Sequence, residues 1–220
     1  MNLEEFKKVS ITESLGISED FGTIYSFVDF GNVDFWFEKD TRDGDGNILD
    51  VDKKLTIGLE KLANFSKLFS KRSRFYFGMD TNNRKSVGFV DASRKYFDNT
   101  ITKPVQLIKH YLDNDEYKSN LLDVNSDKRG DYINIPKCNF DVEICVDAIR
   151  LVGNYDTFCL FSGDADFINL IKFIKEKNKK VILIKSGFVQ KNLANSADII
   201  INAQDIKKYI TIIKQKSSLS

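Results

Sequence analysis

Residues 155–166 read Tyr-Asp-Thr-Phe-Cys-Leu-Phe-Ser-Gly-Asp-Ala-Asp, an apolar run followed directly by two acids. The run Phe158–Phe161 predicts a buried strand, and apolar residues recur at helical spacing from Phe167 onward. Asp164 and Asp166 therefore stand at a strand-to-helix turn. In an open α/β sheet such a turn lies at the carboxyl edge of the strands, where these folds bind ligands. Two carboxylates there indicate a metal site. The alternative is that Asp164 only caps the following helix, and the stretch alone leaves both interpretations open.

Acids also follow two other predicted strands. Thr23–Val28 is an apolar and aromatic run that ends at Asp29, and Arg74–Met79 is a second run that ends at Asp80. Carboxylates at the ends of strands in one parallel sheet are predicted to share one edge of that sheet. The alternative for Asp29 is a turn in which it bonds local amides, since Gly31 lets the backbone bend sharply there.

Further acids belong to the second half of the chain. Asp141 opens a predicted amphipathic helix, and Asp147 lies inside that helix. The two acids are separated by about 120° around the helix and about 9 Å along it, so they cannot approach one metal in the same way. The alternatives are an N-cap for Asp141 and an exposed polar face for Asp147. Asp198 stands at the start of the last short predicted strand, Ala197–Ile201.

Four other segments carry weaker patterns. Leu55–Phe69 has apolar residues at helical spacing and predicts a helix. Val105–Leu112 predicts a strand or a short helix, because the preceding proline can open either. Asp113–Gly130 is polar and without a period, which predicts a long mobile loop, and Ala203–Ile213 predicts a closing helix.

Length and composition bound the class of protein. The 220 residues suit one well-buried core, and we expect one α/β domain at 21–213, an N-terminal arm at 1–20 and a C-terminal tail at 214–220. The 33 Lys and Arg residues nearly match the 32 Asp and Glu residues, so any polyanion site must be a local patch. The three cysteines have the spacing of neither a zinc site nor a disulfide framework, which favours a reducing compartment. No apolar run approaches the roughly 20 residues of a membrane span, so the sequence predicts a soluble, cytoplasmic protein without a membrane partner.

The distribution of acids points to a chemistry. Acids at several strand ends and helix starts of an alternating chain are the arrangement that brings distant carboxylates to one point. A carboxylate cluster without His or Cys favours a hard ion such as Mg²⁺ or Mn²⁺. Carboxylates so close together resist ionising unless a cation holds them. A phosphodiester suits such a site, because the metal neutralises phosphate oxygens and lowers the pKa of an attacking water.

Four segments in this order resemble the NYN domain of the PIN-like nuclease superfamily, in its LabA-like branch. They are Phe27-Val28-Asp29-Phe30-Gly31-Asn32, Phe140-Asp141-Val142-Glu143-Ile144-Cys145-Val146-Asp147, Phe161-Ser162-Gly163-Asp164-Ala165-Asp166-Phe167 and Ala197-Asp198. The resemblance implies a three-layer α/β/α sandwich with a mainly parallel central sheet and a metal-dependent endoribonuclease site. In the family a Lys-Gly pair commonly precedes the helix acid, whereas this chain has Cys138-Asn139. Asn can adopt the left-handed conformation of a glycine, which predicts that the turn is kept.

The resemblance also implies a set of site residues. The acids that would hold Mg²⁺ or Mn²⁺, directly or through water, are Asp29, Asp141, Asp164 and Asp166. Asn32 matches the companion amide of the family, and Asp147 matches a further acid. We also expect Asn32 and the Ser162 hydroxyl to orient water or phosphate.

Basic residues interleaved with aromatics between Asn82 and Lys103 suit phosphate contact and base stacking, on single-stranded RNA or a structured RNA loop. The cations expected to bind the substrate are Arg84, Lys85, Arg94, Lys95 and Lys103. Because this segment leaves the strand that ends at Asp80, Arg94 and Lys95 are expected to flank the acids. The alternative is a solvated charged face over aromatic anchors.

Two other functions compete with a ribonuclease. A catalytically silent RNA-binding or partner-binding module on the same fold is favoured by the altered pair Cys138-Asn139 and by the balanced net charge. A phosphatase or nucleotide hydrolase could use the same carboxylates, but the chain has no Gly-rich phosphate loop and no nucleophile signature of such enzymes. The sequence leaves a homo-oligomer open.

Overall fold

The computed structural model describes residues 3–112, 124–188 and 190–216, in which strands and helices alternate along most of the chain. The strands are β1 (Ile24–Asp29), β2 (Lys53–Ile57), β3 (Arg72–Met79), β4 (Asn99–Pro104), β5 (Gln106–Tyr111), β6 (Asn125–Asp127), β7 (Gly130–Lys137), β8 (Thr157–Phe161), β9 (Lys180–Lys185), β10 (Ile199–Asn202) and β11 (Thr211–Gln215). The helices are α1 (Leu3–Ser14), α2 (Phe30–Val33), α3 (Leu59–Lys67), α4 (Arg84–Tyr96), α5 (Asp141–Arg150), α6 (Ile168–Glu176), α7 (Lys191–Ala194) and α8 (Ala203–Ile210). Short 3₁₀ helices occur at Glu19–Phe21 and Ala165–Phe167.

Six strands form the central sheet in the spatial order β10-β9-β8-β1-β3-β4, and every neighbouring pair is parallel. All five residues of β8 are buried, as expected for a strand that is covered on both faces. The run Phe158–Phe161 was sufficient to predict this strand. The predicted α/β class with a mainly parallel sheet is confirmed.

Helices cover both faces of this sheet. Neighbouring residues of a strand face opposite sides, so Phe27 and Val28 of β1 enter different hydrophobic cores. Phe27 shares its core with Ile144 of α5 and with residues of α6, and Val28 shares the other core with residues of α3 and α8. The structure therefore has three layers, as the resemblance implied.

Two small antiparallel sheets stand outside the central one. β2 pairs with β11, and β5, β7 and β6 form a three-stranded sheet in that order. The three-stranded sheet follows β4 and leads into α5, so both of its ends join the central domain near the start of that helix. Among the described helices none is long and apolar enough to cross a membrane.

Several predicted elements need correction. Leu55 lies in β2, so the helix predicted over Leu55–Phe69 begins only at Leu59. The closing helix ends at Ile210, and the chain continues as β11 because residues 211–215 pair with β2. Of the two alternatives left open for Val105–Leu112, the strand is confirmed, and it spans Gln106–Tyr111.

Part of the predicted loop and of the predicted tail lies outside the described residues. Of the loop expected at Asp113–Gly130, residues 113–123 lie outside the described residues. Within the part that is described, Asn125–Asp127 forms strand β6. Residues 217–220 belong to the expected tail. The expected arm at 1–20 contains α1, and the domain bounds stay a prediction.

Candidate metal centre

The parallel pairing of β1 and β8 brings two predicted site residues together. Val28 is in register with Phe161, so Asp29 and Ser162 are the next residues on adjacent strands. Ser162 is fully buried, and its Oγ donates a hydrogen bond of 3.1 Å to Oδ2 of Asp29. The two strand ends are thus joined by side chains at the carboxyl edge of the sheet.

Asn32 joins the same two segments one turn further on. Its Oδ1 accepts a hydrogen bond of 3.2 Å from the backbone N–H of Gly163 and another of 3.0 Å from Nε1 of Trp36. An amide oxygen can accept two such bonds, and here both come from fixed groups. Asn32 therefore links α2 to the turn that carries Asp164.

Three of the predicted acids form a compact group. One carboxylate oxygen from each of Asp141, Asp164 and Asp166 lies within 4.8 Å of the other two. Asp164 also caps the 3₁₀ helix after β8, because its Oδ1 accepts a hydrogen bond of 3.0 Å from the N–H of Asp166. The capping and cluster interpretations of Asp164 are therefore compatible.

Asn139, which the sequence did not single out as a site residue, orients the third acid. Its Oδ1 accepts a hydrogen bond of 2.8 Å from the backbone N–H of Asp141, and its Nδ2 donates one of 2.6 Å to Oδ2 of the same residue. The expectation that Asn139 adopts the left-handed conformation is wrong, because its φ is negative. An Asn two residues before the first acid of a helix is the signal that could have identified it.

The electrostatics of the group fit a cation. The pKa of Asp29 is raised to about 6, mainly by burial and also by the charges of Asp141 and Asp164. The hydrogen bond from Ser162 acts in the opposite direction and lowers this pKa. Burial also raises the pKa of Asp141, as do the nearby Asp164 and Asp166. A divalent cation would relieve this repulsion, and an all-oxygen donor set suits Mg²⁺ or Mn²⁺.

Asp147 lies apart from this group. Its Oδ2 accepts hydrogen bonds of 2.6 Å from Nη2 of Arg74 and 2.8 Å from the hydroxyl of Tyr76. The ion pair is mostly buried, with 15% of the Arg74 side chain and 19% of the Asp147 side chain exposed. The resemblance implied that Asp147 is a site acid, but the structure places it outside the group of three acids.

The other two strand acids also have local partners. Asp80 follows β3 at the same edge, and its Oδ1 accepts a hydrogen bond of 3.0 Å from the N–H of Asn82. Asp198 precedes β10 and so lies at the opposite edge, where it bonds Lys175 at 2.5 Å and the N–H of Val181 at 2.7 Å. Neither belongs to the group of three acids.

The predicted cations are divided between the two edges of the sheet. Lys103, the penultimate residue of β4, donates hydrogen bonds of 2.7 and 2.8 Å to the two carboxylate oxygens of Glu143 on α5. Arg84 and Lys85 begin α4 at the carboxyl edge. Arg94 and Lys95 lie in its last turn, about 15 Å further along the helix axis. Placing these last two beside the acids was wrong, because α4 carries the chain back towards the start of β4.

The sequence is similar to one protein family and to two known proteins. The sequence profile of the NYN domain family matches residues 63–207. The chain is 33% identical over 75 residues to the low amplitude and bright protein LabA of Synechococcus elongatus, a match covering 34% of this chain and 40% of that protein. It is 46% identical over 65 residues to the uncharacterized protein MJ0482 of Methanocaldococcus jannaschii, covering 28% of this chain and 27% of that protein.

One solved structure has the same fold. It is the crystal structure of VPA0982, a protein of unknown function from Vibrio parahaemolyticus. The TM-score is 0.57 at 20% sequence identity, and the superposition covers 88% of this chain and 98% of that one. This likeness concerns the architecture alone.

Proposed function

The chain belongs to the NYN domain family, within the PIN-like nuclease superfamily and of the LabA-like type, and from this premise we propose that it is a metal-dependent endoribonuclease. The observation that carries the proposal is the group of Asp141, Asp164 and Asp166, whose carboxylate oxygens lie within 4.8 Å of one another. The proposed substrate is RNA, as a single strand or a structured loop. The proposed reaction is hydrolysis of a phosphodiester bond.

The proposed cofactor is Mg²⁺ or Mn²⁺, held by the three acids together with Asp29. When bound, such an ion supplies positive charge for the phosphate oxygens and lowers the pKa of an attacking water. Because the relatives are matched over less than half of their own lengths, nothing about the activity of those whole proteins is transferred to this chain.

The protein's own contribution at the carboxyl edge is to fix the orientation of the acids. The Ser162 hydroxyl holds one oxygen of Asp29 and also accepts a hydrogen bond of 3.2 Å from the N–H of Asp164. Asn139 holds Asp141 through two hydrogen bonds. Side chains fixed by such contacts lose little freedom when substrate binds, which is the basis of preorganisation.

Cations at the same edge are proposed to bind the RNA backbone. Arg84 and Lys85 begin α4 beside the end of β3, and Lys103 is the penultimate residue of β4 and is bonded to α5. The charge of Lys103 acts on the carboxylate of Asp141, whereas Arg84 and Lys85 share only the edge of the sheet with the acids. Their proposed contribution is therefore affinity for phosphates and not the chemical step.

A binding module without turnover is the rival function. It is favoured by the absence of a Lys at the position of Cys138 and by the balanced net charge of the chain. The deciding experiment is incubation of pooled RNA and DNA oligonucleotides with Mg²⁺, with Mn²⁺ and with EDTA. We expect RNA fragments only when a metal is present. RNA affinity retained in EDTA, with no products under either metal, would establish the rival.

A further inference from the structure

A cavity of about 410 Å³ lies between the end of β4 and the base of the three-stranded sheet. Its lining residues are Lys103, Pro104, Gln106, Ile108, Lys137, Cys138 and Asn139. Pockets that bind small organic ligands range from about 300 to 1,000 Å³, so a cavity of this size can hold one nucleotide unit.

The cavity adjoins the group of three acids. Asn139 lines it and donates the hydrogen bond of 2.6 Å to Oδ2 of Asp141. Lys103 lines it as well, and its charge acts on the carboxylate of Asp141. The cavity and the acids are therefore neighbours, so a polymer bound at the acids has room to extend into the cavity.

Two cations line the cavity, and they differ in their partners. The ammonium of Lys103 is held by Glu143 and lies 4.8 Å from the centre of the Phe140 ring, so its position is fixed. Lys137 is exposed and forms no ion pair within the described part of the chain. The charge of Lys137 is thus available to a phosphate.

An apolar surface continues from these cations along one face of the three-stranded sheet. Gln106 is paired with Lys137, and Ile108 with Ile135, so these four side chains share a face. Ile108 is 46% exposed and Ile135 43% exposed. Leu107 is 65% exposed but faces the other side and does not line the cavity.

We propose that this cavity is a subsite for one nucleotide of single-stranded RNA, adjacent to the phosphate at the acids. The proposal rests on the proposed function for the choice of RNA as ligand. Lys137 contacts the backbone phosphate of that nucleotide, and Ile108 and Ile135 contact its base. A base reaches these isoleucines only when it is unpaired, so the subsite selects single-stranded RNA over a duplex.

The charge of the subsite is tested by the dissociation constant of a fluorescent single-stranded RNA. It is measured with Mn²⁺ in an Asp164→Asn background, which is expected to suppress cleavage. Lys137→Gln is expected to weaken binding about tenfold, the value of one charge-assisted contact. It is also expected to lower the slope of log Kd against log salt by about 0.7. Lys128→Gln, at the exposed turn between β6 and β7, is the matched control and should leave both quantities unchanged.

The apolar part is tested by a second pair of variants. Ile108→Ser is expected to weaken the binding of single-stranded RNA about threefold to tenfold, because the base would no longer cover an isoleucine side chain. Its neighbour Leu107→Ser, on the opposite face, should have no effect. Neither variant should change the affinity for a blunt RNA duplex, which cannot place a base in the cavity.

The outcomes separate this inference from the proposed ribonuclease. RNA that binds with the expected differences but is never cut by the unsubstituted chain supports the subsite and rejects the enzyme. Cleavage that occurs while Lys137→Gln and Lys128→Gln bind equally well rejects the subsite and retains the enzyme. The subsite is also rejected if no single-stranded RNA binds, or if Ile108→Ser and Leu107→Ser are indistinguishable, which would leave this face to a protein partner.

Discussion

The hydroxyl of Ser162 donates a hydrogen bond of 3.1 Å to Asp29 across 133 residues of sequence. It also accepts a hydrogen bond from the backbone N–H of Asp164, so one buried side chain joins the carboxylate of Asp29 to the turn that carries Asp164. Ser162 therefore acts on the candidate site through Asp29 and Asp164.

Ser162→Ala is expected to lower RNA cleavage by about tenfold to a hundredfold, the usual loss when a partner of a metal ligand is removed. The free energy of unfolding should fall by only about 1–2 kcal/mol, because one buried hydrogen bond is lost. Cleavage rates and urea unfolding measure the two effects. Ser66→Ala is the control, since the buried Ser66 hydroxyl bonds Ala63 within α3 at 2.9 Å. Equal losses of activity in both variants would show that Ser162 matters only for stability.

Replacing an acid of the site tests the metal centre itself. Asp29→Asn and Asp164→Asn should each reduce cleavage by more than about a hundredfold, since even partners of metal ligands cost 10–100-fold. The variants keep the shape of the side chain, so far-ultraviolet circular dichroism should match that of the unsubstituted chain. Asp80→Asn, at the same edge of the sheet, should retain full activity. Normal cleavage by either site variant would remove these residues from the site.

The positions of Asp29 and Asp164 could be predicted because they depend on local patterns. Each follows a short run of apolar residues, and parallel strands present their carboxyl ends at one edge. Asp141 joined them because the helix that it begins starts at that edge. Asp29, Asp141 and Asp164 were therefore predictable from strand ends and helix starts, without knowledge of the packing.

Contacts that depend on packing could not be predicted. Arg74 and Asp147 are separated by 73 residues, and only the packing of α5 on the central sheet brings them together. The direction of α4 was missed for a different reason. The residues of α4 are mostly polar, and in the sequence they have the pattern of a solvated surface. The segment was therefore not recognised as a helix that carries Arg94 away from the acids.

The division of cations along α4 predicts an asymmetric effect on RNA binding. Replacing Arg84 and Lys85 together by Gln should lower the slope of log Kd against log salt by about 1.4, at about 0.7 for each phosphate contact with a single strand. Replacing Arg94 and Lys95 in the same way removes the same charge at the opposite edge and should not change the slope. The measurement is fluorescence anisotropy over a series of salt concentrations. A larger effect from Arg94 and Lys95 would contradict the path proposed for the RNA.

The ion pair of Asp147 with Arg74 predicts a structural effect. Asp147→Asn leaves a mostly buried guanidinium without its charged partner and should lower the free energy of unfolding by about 2–4 kcal/mol. Metal affinity and the cleavage rate of the folded protein should stay unchanged, because the acid lies outside the site. Urea unfolding and Mn²⁺ titration at a temperature where the variant is folded measure these quantities. A loss of Mn²⁺ affinity would return Asp147 to the metal centre.

Asp98 is expected to make the free energy of unfolding depend on pH. Partial burial raises the pKa of this carboxyl, but the N–H and hydroxyl of Ser73, at 2.7 and 2.9 Å, and the charge of Arg72 lower it more, so its pKa lies below the ordinary value. A carboxyl with a lowered pKa in the folded state stabilises the protein above its unfolded pKa of about 3.9, and this stabilisation is lost as the pH falls through the folded pKa. The free energy of unfolding of the unsubstituted chain should therefore exceed that of Asp98→Asn by about 1–2 kcal/mol at pH 6, with the difference shrinking below about pH 4. Ser73→Ala removes a donor and should weaken the same dependence. Urea unfolding at a series of pH values measures it, and a difference that stays constant down to the acid transition would mean that the Asp98 charge contributes nothing.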